Sequence, residues 1–207
     1  MATKSFSKKE AISYGWKTTK SHFRFFVLLM LSLFAINVFP GMLRSSLAPD
    51  ENSLIAFLIS IISWILQLIV GIGLIKIALE IHDRKKAQYS DLFSQSHLMI
   101  NYGLASFLYG LIVVAGLILL IVPGIIWGIK FQYFSYFIVD KGLGPIEALK
   151  ASSKITKGSI WNIFLLRILL GLINIGGALL LGVGLLATVP TAMMAEVHVF
   201  RKLSTKK

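Results

Sequence analysis

Cysteine is absent from the 207 residues, which excludes a disulfide framework, a thiolate metal site and a thiol nucleophile. Charge is also scarce. Asp, Glu, Lys and Arg make up 14% of the chain, against about 25% in an ordinary soluble domain. Acidic residues are the scarcest part, 9 against 21 Lys and Arg, for a formal net charge of +12. The histidines, His22, His82, His97 and His198, are scattered near the ends of apolar segments. No group of carboxylates and histidines has metal-ligand spacing. There is no phosphate-binding Gly-Lys-Ser/Thr loop, no His-Glu-x-x-His and no nucleophile elbow around any serine. Gly182-Val183-Gly184-Leu185-Leu186-Ala187 resembles a dinucleotide fingerprint, but it follows no soluble strand and lacks a downstream acidic partner. No enzyme, cofactor or metal is expected.

What the chain has is apolar sequence in long runs. Hydrophobic residues make up 56% of it, and several runs reach the ~18 residues that mark a membrane span. The reading is an all-α integral membrane fold of six spans in three hairpins, at residues 25–42, 54–79, 101–122, 125–139, 161–181 and 183–200. A basic amphipathic segment, 1–24, precedes the membrane domain, 25–200, and a basic tail, 201–207, follows it. The fourth span is short, about 22 Å as a helix, so tilt or a partly re-entrant path is expected. Pro123-Gly124 and Gly182 are read as tight turns between spans three and four and spans five and six.

Basic residues set the orientation. Lys4, Lys8, Lys9, Lys17, Lys20 and Arg24 precede span one, and Arg84, Lys85 and Lys86 follow span two. Lys141, Lys150, Lys154 and Lys157 follow span four, and Arg201, Lys202, Lys206 and Lys207 follow span six. With six spans all of these share one side, while the other side holds Arg44, Asp50, Glu51 and nearly bare turns. Both termini are therefore expected in the cytoplasm, with the chain in the cell membrane. Ser46-Leu47-Ala48 has the small residues of a signal-cleavage site, but the charged region before span one is too long for a signal peptide and Pro49 would follow the cut. No cleavage is expected.

An internal repeat emerges when Ser7–Leu31 is laid over Gly144–Ile168. Glu10, Ala11, Lys17, Thr19, Lys20, Leu28 and Leu29 then fall on Glu147, Ala148, Lys154, Thr156, Lys157, Leu165 and Leu166. Ser7-Lys8-Lys9-Glu10 fits a capping box. Gly144-Pro145-Ile146-Glu147 starts a helix with proline in its first turn, and Gly158 ends it. Each copy reads as a short interfacial helix leading into a span. A weaker third copy begins at Ser90-Asp91-Leu92-Phe93, giving three units of one interfacial helix and one hairpin.

Several of these residues carry a family resemblance. The run from Leu119 to Trp127 contains Val122-Pro123-Gly124, and Lys130 and an aromatic stretch to Asp140 follow. Gly144-Pro145, Glu147-Ala148-Leu149-Lys150, Ser152-Ser153 and Lys157-Gly158 come next. This order resembles a broad group of bacterial polytopic membrane proteins of unknown function. It is also similar to the membrane domain attached to some glycerophosphodiester phosphodiesterases. The resemblance implies a multi-pass helical fold. The phosphodiesterase's catalytic domain is a separate soluble barrel that nothing here matches, so no activity transfers.

Intramembrane charge is the strongest functional signal, because a charge at mid-bilayer costs at least ~2.5–3.5 kcal/mol. Lys76 lies near a span end and is expected to snorkel. Arg167 and Glu196 lie at similar depth in one hairpin and are read as an ion pair. With Lys130 they define a candidate inward-facing pocket for an anion or lipid headgroup. Lys17, Lys20, Lys150, Lys154 and Lys157 are candidate contacts to anionic lipid at the membrane surface. Gly124 and Gly128 form a Gly-x-x-x-Gly pattern that lets helices approach closely, within one subunit or in a homo-oligomer. Trp16, Trp161 and Tyr102 suit interfacial anchoring. Gln67 and Asn174 are the other sizeable polar side chains in the spans. The membrane explains the basic residues, so no nucleic-acid partner is expected. The function expected is a non-enzymatic module that organises or senses anionic lipid or scaffolds a membrane partner. The alternative is a small oligomeric transporter or flippase-like carrier.

Overall fold

The computed structural model describes residues 6–47 and 53–205. Lys4, Asp50, Glu51, Lys206, Lys207 and the Ala48-Pro49 part of the cleavage-like sequence lie outside the described residues. The described residues form ten α-helices and no strand. The chain runs α1 (Lys8–Ser21), α2 (Phe23–Leu47), α3 (Leu54–His82), α4 (Asp91–Ser94), α5 (Met99–Leu119), α6 (Ile121–Phe131), α7 (Phe134–Lys141), α8 (Pro145–Thr156), α9 (Ile160–Leu179) and α10 (Leu185–Thr205). Among the described residues, four segments, Phe23–Leu47, Leu54–His82, Asp91–Leu119 and Ile160–Leu179, are long and apolar enough to cross a membrane. Their apolar side chains are largely exposed, among them Phe34, Phe39, Ile62, Trp64, Phe107 and Ile118. Such a surface suits hydrocarbon and not water. The chain is thus an all-helical protein with the attributes of a membrane protein.

Local sequence explains several helix boundaries. The Ser7 side chain accepts a hydrogen bond from the Glu10 amide at 3.3 Å, so half of the expected capping box forms. The reciprocal half does not, because the Glu10 carboxylate is taken by Lys202 and His198 of α10. Ser53 caps α3 through the Ala56 amide at 3.2 Å. Pro145 opens α8, and Gly142 and Gly158 take positive φ at the turns on either side of it.

Two turns differ from the sequence reading. Pro123-Gly124 is not the turn between the third and fourth apolar segments. The chain reverses at Leu120 (φ −167°, ψ 151°), and Pro123 and Gly124 lie inside the first turn of α6. Proline is tolerated there because the first-turn N–H groups have no helical partner to lose. Gly124 instead serves packing: a Cβ on Gly116 would fall 2.8 Å from the Gly124 Cα, so α5 and α6 cross backbone to backbone. Gly182 is likewise one residue of a longer turn, 180–184, in which Leu181 and Gly182 both have positive φ.

The fourth apolar segment is not one continuous helix. It breaks at Gln132-Tyr133 into α6 and α7. Phe134 to Val139 of α7 are all buried, walled by α3, α5 and α8 and touched by Phe200 of α10. Midway along it the rings of Tyr136 and Phe137 pack on Phe200 of α10, with centroids 5.1 and 5.2 Å apart. The least convincing span by sequence is the protein's most buried segment.

The short helices do not lie free on a surface. α4 packs on α3, α8 on α6 and α7, and α1 on α10. The α1–α10 contact is close enough that a Cβ on Gly15 would sit 2.3 Å from the Thr191 carbonyl oxygen. The α4–α3 contact is as tight: a Cβ on Gly73 would sit 2.2 Å from the Leu92 carbonyl oxygen. Tyr102 also turns inward and is half-buried, its ring 6.1 Å from Phe134, whereas Trp16 and Trp161 stay exposed.

Candidate functional site

The break between α6 and α7 would orphan backbone groups inside the protein, and α8 supplies their partners. The Ser152 hydroxyl accepts from the Tyr133 N–H and donates to the Lys130 carbonyl, both at 3.0 Å. The Thr156 hydroxyl donates to the same carbonyl at 3.0 Å. A buried unpaired amide or carbonyl costs about 1–3 kcal/mol, which these two hydroxyls avoid. Gln132 sits at the break, buried, and neither atom of its side-chain amide has a partner.

Of the charged residues singled out by sequence, Arg167 and Glu196 come together. Arg167 Nε lies 3.4 Å from Glu196 Oε1, and the Tyr136 hydroxyl lies 3.5 Å from Glu196 Oε2. Lys130 does not join them. Arg167 faces a groove on the Gly124–Gly128 side of α6, beside Tyr109 and Phe164. Lys130 lines a separate cavity of about 410 Å³ with Trp127, Ser153 and Lys157. Residues 126, 127 and 130 occupy one face of α6, and residues 124, 125, 128 and 129 occupy another, so the single pocket of Lys130, Arg167 and Glu196 does not form. Gly128 lies on the Arg167 side, where its carbonyl accepts the Tyr109 hydroxyl at 3.0 Å. Lys76 pairs with Glu80 one turn along α3, at 3.2 Å.

The lysines read as surface contacts sit on α1 and α8. Lys17 and Lys20 of α1, Lys150 and Lys154 of α8, and Lys157 just after it, are all exposed. The opposite faces of these helices are buried, with Ala11, Gly15 and Thr19 on α1 and Ala148, Ser152 and Thr156 on α8. The Thr19 and Thr191 hydroxyls meet at 3.3 Å.

Sequence inspection misses the strongest electrostatic feature. Arg201, counted there only as a tail cation, holds two carboxylates at once. Its Nη1 and Nη2 donate to both oxygens of Asp140, at 2.8 and 2.7 Å. Its Nε and Nη2 donate to both oxygens of Asp83, at 3.1 and 2.6 Å. One guanidinium thereby ties the ends of α3, α7 and α10. Planar, fork-like donors suit such bidentate pairs, and an ammonium cannot reproduce them. The only signal in the sequence is that Asp83, Asp140 and Arg201 each fall just after an apolar run.

Beside this knot, two of the histidines that are scattered in sequence meet. His82 Nε2 and His198 Nδ1 lie 3.4 Å apart, and the Tyr14 ring stacks on His198 with centroids 4.5 Å apart. Glu10 completes the contact, 2.5 Å from Lys202 and 3.6 Å from His198. The hydrogen bond from Lys202 holds the Glu10 carboxyl below the usual carboxylate range. Among the described residues, no group of three or more His, Asp or Glu is placed to hold a metal ion.

Comparison with known proteins gives relatives but no family. The chain is 31% identical over 151 residues to an uncharacterized protein of Mycobacterium bovis and to one of Mycobacterium tuberculosis strain CDC 1551. A further uncharacterized protein, from M. tuberculosis strain H37Rv, is 31% identical over 155 residues. The matched region covers 73% of this chain and 46% of each relative, so the chain spans about half the length of the curated relatives it matches. No family model matches the chain, and no solved structure matches it significantly.

Proposed function

We propose that this protein is a six-span membrane module that organises or senses anionic lipid on the cytoplasmic face of the cell membrane. The observation that carries the reading is the two-faced build of α1 and α8. Each buries a stripe of small and hydroxyl residues in the protein and turns its lysines outward. Basic side chains so placed attract an anionic leaflet by about 1 kcal/mol each, and salt weakens the attraction. The internal repeat finds support in the same stripes. Ala11, Gly15 and Thr19 align with Ala148, Ser152 and Thr156, and buried Phe26 and Leu29 align with buried Ile163 and Leu166. Each of the three short helices packs on the second half of the preceding hairpin, with α1 closing the ring on α10.

The lipid reading predicts the composition of lipid that stays with the full-length protein after mild detergent extraction. Phosphatidylglycerol is expected enriched over the bulk membrane, with the enrichment falling when Lys150, Lys154 and Lys157 are changed together to Gln. A bound fraction that mirrors the bulk would overturn the reading.

The span number has its own test, which the cysteine-free sequence makes clean. Leu181 is 97% exposed at one end of α10, and Thr205 is exposed at the other. With six spans, a single Leu181→Cys is expected to react with an impermeant maleimide in intact cells, and Thr205→Cys only after permeabilisation. Equal reactivity of the two in intact cells would place both ends of α10 on one side.

A second reading, a carrier for an anionic or amphiphilic substrate, is favoured by one observation. The discontinuous α6–α7 segment places Gln132, buried and without a partner, at its break. Transporters build substrate sites at such interruptions.

A further inference from the structure

The cavity at Lys130 adjoins a second cavity, with which it shares two lining residues, and the two differ in chemistry. The first, about 410 Å³, lies where the end of α6 meets the turn between α8 and α9. Lys130, Lys157 and Ser153 line it. Gly158, at φ +83°, makes the turn that sets Lys157 and Ile160 on the same cleft, a conformation that side-chain-bearing residues seldom adopt. The second, about 510 Å³, is lined by Val122, Ile125, Ile129, Trp161 and Phe164. Ile126 and Ile160 border both.

Neither lysine is neutralised. Among the described residues no carboxylate lies within 4 Å of the ammonium of Lys130 or of Lys157. Glu10, Glu80, Asp83, Asp140 and Glu196 are engaged with Lys202, Lys76, Arg201 (both aspartates) and Arg167, Asp91 accepts from the Gln88 amide, and Glu147 lies in the first turn of α8, at the far end of that helix from Lys157. Lys130 is half-buried, its ammonium over the Phe131 ring at 5.4 Å. Two cations at the head of an apolar groove form a site that is complementary to an amphiphile with an anionic head.

We propose that the cleft between α6, α8 and α9 binds one anionic phospholipid, its phosphate on Lys130 and Lys157 and an acyl chain in the apolar groove. Dimensions agree. From Lys130 to Val122, α6 extends about 12 Å, close to the ~15 Å of hydrocarbon in one leaflet. The exposed Trp161 ring borders the groove, and such rings settle at the level of the headgroups. A zwitterionic headgroup would bring its own ammonium against two lysines, so the site selects lipids whose heads carry net negative charge. The pair Lys130 and Lys157 spans elements that only the fold brings together. The inference rests on the lipid reading above and narrows it from a charged surface to one stoichiometric site.

The test is native mass spectrometry of the full-length protein in detergent, titrated with phosphatidylglycerol, phosphatidylcholine or glycerol 1-phosphate. Wild type is expected to retain one phosphatidylglycerol per chain in preference to phosphatidylcholine. Changing Lys130 and Lys157 together to Gln is expected to weaken that first binding by about 25-fold, taking about fivefold per lysine. A Lys85→Gln, Lys86→Gln variant, in the exposed stretch after α3 and outside the cleft, is expected to keep it. If the cleft variant binds the first phosphatidylglycerol as wild type does, the site is wrong, while a persisting preference over phosphatidylcholine leaves the surface reading standing. If wild type shows no such preference, both fall. If glycerol 1-phosphate displaces phosphatidylglycerol at equal concentration, the groove holds no chain and a soluble phosphate is the occupant. Circular dichroism of each variant checks that its helices persist, so that a loss of lipid is told apart from a loss of fold.

Discussion

Changing Arg201 to alanine is expected to destabilise the folded protein substantially and lower its melting temperature. The guanidinium is the shared partner of Asp83 and Asp140, and only 21%, 30% and 16% of the three side chains is exposed. Removing it leaves two carboxylates half-buried side by side, with no cation between the ends of α3, α7 and α10. Breaking a buried pair costs about 3–5 kcal/mol, and the partial exposure lowers that to about 2–4 kcal/mol. The measurement is the temperature at which the detergent-solubilised protein stops eluting as a single species. Arg201→Lys is expected to recover only part of the loss, since one ammonium cannot donate in two forks. The triple change Arg201→Met, Asp83→Asn, Asp140→Asn is expected to recover more, because it leaves no unpaired charge. If Arg201→Ala melts with wild type, the knot is a surface ornament and the three helices are held by packing alone.

The second large effect comes from glycine, and its sign depends on position. Gly15→Ala and Gly73→Ala are each expected to destabilise, because the new methyl would meet the backbone of Thr191 or Leu92 well inside contact distance. Backbone in a packed helix cannot step aside cheaply, so overpacking costs about 1–3 kcal/mol or more. Gly110→Ala and Gly171→Ala have nothing within 4 Å of the added carbon. There the exchange only improves helix propensity, by about 0.5–1 kcal/mol. The same melting measurement on all four variants reads the contrast. Uniform stabilisation would mean that α1 and α4 do not dock on α10 and α3 as described.

Much of the helix framework was legible from local pattern. Ser7 and Pro145 mark helix starts because capping and a missing N–H are properties of a few consecutive residues. The lysine stripes of α1 and α8 follow from 3.6-residue periodicity in the same way. Membrane character follows from composition and run length, which need no fold at all.

The turn at Leu120 was not legible, because Pro123 is equally at home in a loop and in a first helical turn. The break at Gln132 was hidden for a related reason. Its cost is met by Ser152 and Thr156, which lie 19 to 26 residues further along the chain. Burial of α7 could not be read from hydropathy, since a segment surrounded by protein and one surrounded by lipid are equally apolar.

By itself, then, the sequence determined an all-helical chain, its membrane-length runs and the basic faces of two short helices. These depend on backbone hydrogen bonds and side-chain periods that close within a turn or two. Tertiary structure alone decided which charges meet. It joined Arg201 to Asp83 and Asp140 across 118 and 61 residues, kept Lys130 apart from Arg167, and set Lys130 and Lys157 on one cavity. Those encounters depend on which helix faces pack together, and packing is settled by close fit among small residues such as Gly15, Gly73 and Gly116, which leaves no local mark in the sequence.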